Sequence, residues 1–148
     1  MEQISATSAA RAFLDKVWGG DAPSDAELSS ALDQLVCAYH ATKPQTNVNS
    51  DVTGPERDWN TLYAQTGARF PDYGYYSVAD PMDMISFSAS VGDAIDDIAD
   101  ITQDMREVIW LAENSSAADA EYRFRTLFFH WGRHARELTL YLHARQFG

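Results

Sequence analysis

Residues 90–142 read SVGDAIDDIADITQDMREVIWLAENSSAADAEYRFRTLFFHWGRHARELTLYL, and two apolar stripes at helical spacing run through them. The first is Ile95, Ile98, Thr102, Met105, Val108, Ile109 and Ala112; the second is Phe124, Leu127, Phe128, Trp131, Ala135, Leu138 and Leu142. Recurrence at every third or fourth position puts each set on one helix face. The spacing predicts one long helix over 90–113 and a second that starts at the Ser115 and Ser116 turn and runs through Tyr141. Two such helices joined by a short turn pack antiparallel and set the fold.

Working toward the amino terminus, Ala9, Phe13 and Val17 form a stripe over 5–18, and Gly19 with Gly20 supplies its stop. Ser24 followed by Glu27 has the spacing of a capping box, in which each side chain answers an unpaired amide of the first turn. It opens a helix carrying Leu28, Leu32, Leu35 and Val36, which ends near Pro44. The polar run 44–56 reads as a loop, and Trp59, Leu62 and Tyr63 predict a short helix over 56–65. Residues 67–88 hold Phe70, Tyr73, Tyr75, Tyr76 and Phe87 in a connection longer than the usual handful of residues. They read as an aromatic loop that either packs over the end of the bundle or faces a partner. The expected fold is all-α: a compact antiparallel bundle of four major helices with a fifth short helix and this loop, in one domain over 1–148.

Composition agrees with a single core. The 148 residues are 45% apolar, a length and content that bury about two-thirds of the surface the unfolded chain exposes. Eleven bases against 22 acids give a formal charge of −11, which disfavours nucleic acid and anionic membranes as partners. The charge is divided: residues 1–121 carry 21 acids and six bases, whereas 122–148 carry five bases and one acid. Arg123, Arg125, Arg133, Arg136 and Arg145 therefore offer the last helix as a counterpart for the acidic remainder. The lone Cys37 reads as helix packing and forms no intrachain disulfide, and the chain has no basic-then-apolar leader and no long apolar span. These features predict a soluble, cytoplasmic protein.

Chemistry concentrates on the two carboxy-terminal helices. At 100° per residue, Asp93, Asp97, Asp100 and Asp104 fall within about 40° of one another, with Asp96 and Glu107 at the margin. Like charges one turn apart repel, so such a row favours arginines, imidazolium or a cation opposite it. His130 and His134 stand one turn apart on the next helix, with Glu137 and Tyr141 continuing that side. They can hydrogen-bond the acids and orient the helix pair. Alternatively they can supply two nitrogens to a divalent metal completed by Asp97, Asp100 or Asp104. A small metal-dependent nucleotide or phosphate hydrolase would place His130, His134 or Asp100 in catalysis and Arg133 or Arg136 on phosphate oxygens. No Glu follows His130, so the zinc-peptidase helix pattern is absent. The run 96–100 resembles the aspartate-rich magnesium motif of helical prenyl-diphosphate synthases, but the chain shows no second acidic motif and is too short for their cavity. Trp131 reads as a core anchor, and Gly132 as a small residue that admits a close neighbour.

Residues 96–105 (DDIADITQDM) and 122–134 (YRFRTLFFHWGRH) resemble a bacterial domain-of-unknown-function family, number 5063, as does the aromatic-to-Asp-Pro segment 75–81 (YYSVADP). The resemblance implies a compact, all-helical bacterial domain and adds no mechanism. It maps the family's acidic positions onto Asp96, Asp97, Asp100 and Asp104, and its histidine segment onto His130, Trp131, Gly132 and His134. Met105 and Tyr122 stand where leucine and tryptophan are expected. The functional reading is a helical interaction or accessory protein with an internally paired Asp/His/Arg network and an unidentified protein partner. Tyr73, Tyr75, Tyr76, Arg133 and Arg136 are its candidate ligand-binding residues.

Overall fold

The structure, a computed structural model, describes residues 4–49 and 51–148. Residues 1–3, the start of the segment read as lacking a leader, and Ser50, in the predicted 44–56 loop, lie outside them. The element order is α1 (Ala6–Trp18), α2 (Asp25–Ala41), α3 (Trp59–Arg69), β1 (Tyr75–Ala79), β2 (Ala89–Asp93), α4 (Ala94–Asn114), α5 (Ala117–Thr126) and α6 (Phe128–Phe147). The four-plus-one bundle is therefore corrected: six helices and a two-stranded antiparallel sheet make up the described residues.

Local chemistry sets the first two helices. Ser5 caps α1 and Ser24 caps α2, each through a reciprocal capping box, and Gly19 closes α1. Arginines from elsewhere take carbonyls left over at both carboxy ends. Arg69 donates to Val17 O at 2.6 Å and Gly20 O at 3.0 Å, and Arg125 donates to Tyr39 O at 3.0 Å and Thr42 O at 2.9 Å. Asp58 caps the short helix, its side chain accepting from Thr61 N, so α3 begins three residues and ends four residues later than predicted.

Two differences re-aim the carboxy-terminal half. Residues 75–79 and 89–93, read as loop and helix start, pair as strands with Tyr76 opposite Gly92 and Val78 opposite Ser90. Alternation turns Tyr76 and Val78 toward the protein while Tyr75, Ser77 and Ala79 face out. A Cβ at Gly92 would lie 2.5 Å from the Tyr76 ring, so the glycine gives that ring its place across the strand. The long last helix is also divided. Leu127 (φ −80°, ψ −1°) ends α5 and begins α6, and the Trp131 indole N–H donates to Phe124 O at 2.9 Å across the break.

α4 lies at the centre, packed against α1, α3, α5 and α6, while α2 bridges α1 and α6. Its Ile98, Ile101, Met105, Val108 and Leu111 are buried with Phe13, Leu32, Phe124, Trp131 and Leu138. Gly132 serves its own helix: a Cβ there would meet the Phe128 ring at 2.6 Å, and that ring is stacked 3.6 Å from Tyr39 of α2. Cys37, read as packing, is exposed. No helix among the described residues is long and apolar enough to cross a membrane.

Candidate metal centre

Asp97, Asp100 and Asp104 project from successive turns of α4 toward His130 and His134 of α6. The break at Leu127 lets α6 cross α4 with these histidines facing it, a consequence the uninterrupted apolar stripe conceals. The arrangement is ordered by nitrogen. His130 Nδ1 lies 2.7 Å from Asp104 Oδ2, and His134 Nδ1 lies 2.6 Å from Asp97 Oδ1. The other two nitrogens turn to a single oxygen: Asp100 Oδ2 is 3.0 Å from His134 Nε2 and 3.6 Å from His130 Nε2.

Of those separations, the 3.0 Å from His134 Nε2 falls within the spacing that two ligands of one ion keep, and the 3.6 Å from His130 Nε2 lies slightly beyond it. Ligands about 2.0–2.1 Å from a shared metal stand about 3.0–3.4 Å from one another. One ligand atom each from Asp100, His130 and His134 falls within a 4.8 Å span, and a second grouping joins Asp96, Asp97 and His134. In the first grouping the remaining polar atoms are held from behind. Asp97 and Asp104 fix the imidazoles through Nδ1, and the Trp59 indole N–H donates to Asp100 Oδ1 at 3.1 Å. Carboxylates behind metal-ligating imidazoles fix their tautomer and raise their basicity.

The supporting carboxylates have partners of their own. The Tyr76 hydroxyl donates to Asp97 Oδ2, and Arg57 donates to Asp104 Oδ1 at 3.2 Å. Arg57 also reaches Glu107 at 3.4 Å, and Arg123 meets the same Glu107 oxygen at 3.0 Å. Asp97 and Asp104 are almost wholly buried, and no buried side-chain polar atom among the described residues lacks a partner. The internally paired Asp/His/Arg network expected from the charge pattern is thus present.

Its protonation follows from these contacts. Burial alone would lower His134, but its bonds to Asp100 and Asp97 prevail and lift its pKa to about 10. Burial raises Asp100, yet the His134 bond, the charges of both histidines and the Trp59 donor bring it below its ordinary value. Asp96, half-buried beside Asp100, is pushed up to about 6 by burial and then by that neighbouring charge. Burial, followed by the bond to Asp97, raises the Tyr76 hydroxyl, which stays a donor. Metal-free protein accordingly carries an imidazolium at His134. A folded-state pKa above the unfolded one gives stability that is complete below pH about 6.5 and declines as pH rises toward about 10. Thermal melts in chelator should show Tm falling over that interval, and His134→Gln should flatten the decline.

The remaining sequence candidates lie elsewhere. Tyr76 is the one member of the ligand-binding set recorded within the network. Tyr73 donates to Asp25 at 2.8 Å, Tyr75 is exposed on β1, Arg133 pairs with Glu137 at 2.9 Å, and the Arg136 guanidinium lies over Phe128. Arg57 and Trp59, absent from the sequence candidates, belong to the centre; Arg57 precedes the Asp58 cap and Trp59 opens α3, where nothing local marks them for it. No protein-family model matches the chain, and no curated protein matches it. Its fold is similar to the crystal structure of protein BF1032 from Bacteroides fragilis, with a TM-score of 0.64 and 16% identity, covering 98% of this chain and 92% of that one. At this identity the likeness shows the fold alone.

Proposed function

We propose that this chain is a helical accessory or interaction protein whose centre binds a divalent transition metal through Asp100, His130 and His134. One observation carries the metal reading: both imidazole Nε2 atoms converge on the same Asp100 oxygen while both Nδ1 atoms are tied to buried carboxylates. Hydrogen bonding alone does not require two imidazoles to share one acceptor in the same orientation. Two nitrogens and one carboxylate oxygen suit zinc and its first-row neighbours and leave a position for water or a further ligand. The resemblance to family 5063 belongs to the same proposal, because the segments that carry it build this centre. So does a cytoplasmic location, where the exposed thiol of Cys37 stays reduced.

Titration of chelator-treated protein with zinc tests the reading. It predicts one saturable equivalent per chain. Trp59→Phe keeps the ring and removes the donor to Asp100, so affinity should fall about 10–100-fold, the usual effect of losing a group behind a ligand. Replacement of Asp100 by Asn should cost more. Absence of saturable binding, or wild-type affinity in His130→Ala, would contradict the proposal.

A further inference from the structure

Residues 79–91 are exposed without interruption. Most of this segment is the connection between β1 and β2, and its apolar side chains point outward. Met82, Met84, Ile85, Phe87 and Val91 are between 69% and 92% exposed. The arm has a defined shape, with the Asp80 carboxylate accepting from Met82 N at 2.9 Å and the Asp83 carboxylate from Ile85 N at 3.1 Å. Beside it, β1 and α6 enclose a groove lined by Val78, Phe129 and Leu140 together with Arg133, Arg136 and Glu137. Phe129 and Leu140 are themselves more than two-thirds exposed. Apolar surface of this extent on one side of a protein marks an interaction site.

Charge identifies the occupant. The arm carries Asp80 and Asp83 and no base, whereas α6 brings Arg133 and Arg136 against the single acid Glu137 to the groove. Arg136 has no carboxylate within 4.0 Å among the described residues, and the one that close to Arg133 is Glu137 of its own helix, with Asp80 of the same chain acting on it from farther off. An apolar segment bearing carboxylates is the complement of this groove, and the chain itself presents one. β1 passes from the groove wall straight into the arm, with Asp80 and Met82 lining the groove's edge. The two surfaces lie side by side, as a reciprocal two-fold exchange requires.

We propose that the arm of one chain seats in the β1–α6 groove of a second copy while that copy's arm returns the contact, forming a homodimer. The inference names the partner for the interaction role proposed above and is independent of the metal. In the dimer Ile85 and Met82 cover Phe129 and Leu140, and Asp80 and Asp83 face Arg133 and Arg136. A rim charge pair of this kind chiefly sets register and orientation, while the apolar contact supplies most of the affinity.

Sedimentation velocity on the full chain in chelator, which separates this test from metal binding, should show a particle of twice the 16.5 kDa chain mass. Ile85→Asp on the arm and Leu140→Asp in the groove should each yield monomer with unchanged far-UV circular dichroism, since both side chains are exposed. Arg136→Glu should raise the dissociation constant about tenfold. A wild-type monomer at every concentration would overturn the proposal and leave the groove to an acidic, apolar segment of another protein. A dimer that survives either apolar substitution would overturn it as well.

Discussion

Replacing His134 by Ala is expected to destabilise the metal-free protein by about 3–5 kcal/mol, the usual loss when one member of a buried ion pair is removed. The His134 side chain is 19% exposed and touches two carboxylates, Asp97 at 2.6 Å and Asp100 at 3.0 Å. Its removal leaves Asp97, 3% exposed, with the Tyr76 hydroxyl as donor and no cation beside it. Most of the loss is thus the cost of an uncompensated charge. Urea unfolding in chelator measures it, and adding Asp97→Asn to the variant should recover part of the stability because the stranded charge disappears. A loss below about 1 kcal/mol, or no recovery in the double variant, would show that the imidazolium does not hold the two helices.

The second large effect is expected at Trp131, which is fully buried against Phe124, Phe128 and Tyr39. Trp131→Ala should cost about 3–5 kcal/mol through the cavity it opens. It also removes the donor to Phe124 O at the α5–α6 break. Trp131→Phe refills most of the space but leaves that carbonyl without the indole, so it should cost about 1–3 kcal/mol. Because a domain of this size holds about 5–15 kcal/mol in total, the alanine variant should unfold well before the wild type in a denaturant titration. Its zinc affinity should also fall, since Trp131 fixes the turn from which His130 projects. A Trp131→Phe protein as stable as wild type would show that the indole bond does not organise the break.

The helices that carry the centre were legible because their determinants are periodic. Ile98, Met105, Trp131 and Leu138 repeat at helical spacing and are buried together, and the acids on one flank of α4 do meet the histidines of α6. The break at Leu127 was not legible, because an apolar stripe continues across it without a glycine or proline to interrupt the chain. What marks the break is a tertiary bond between the Trp131 indole and Phe124 O. The hairpin was hidden for a different reason. Each strand has five residues, and Gly92 and Ser90 gain meaning only when Tyr76 and Val78 are placed opposite them.

Within the centre, residue types and the one-turn histidine spacing were readable, and the division of labour among the aspartates was not. Periodicity makes Asp97, Asp100 and Asp104 equivalent, yet Asp100 alone meets both Nε2 atoms while its neighbours bind Nδ1. That distinction depends on the crossing of α6 over α4 and on ring orientation, neither of which has a local signature. The same holds for Arg57 and Trp59, brought to α4 by the packing of α3.

X-ray absorption on the zinc-loaded protein tests the centre most directly. Two imidazole nitrogens and at least one oxygen at about 2.0–2.1 Å are expected, with the imidazole scattering reduced by half in His130→Ala. An all-oxygen shell, or a spectrum that His130→Ala leaves unchanged, would place the metal elsewhere and contradict the assignment of Asp100, His130 and His134 as its ligands.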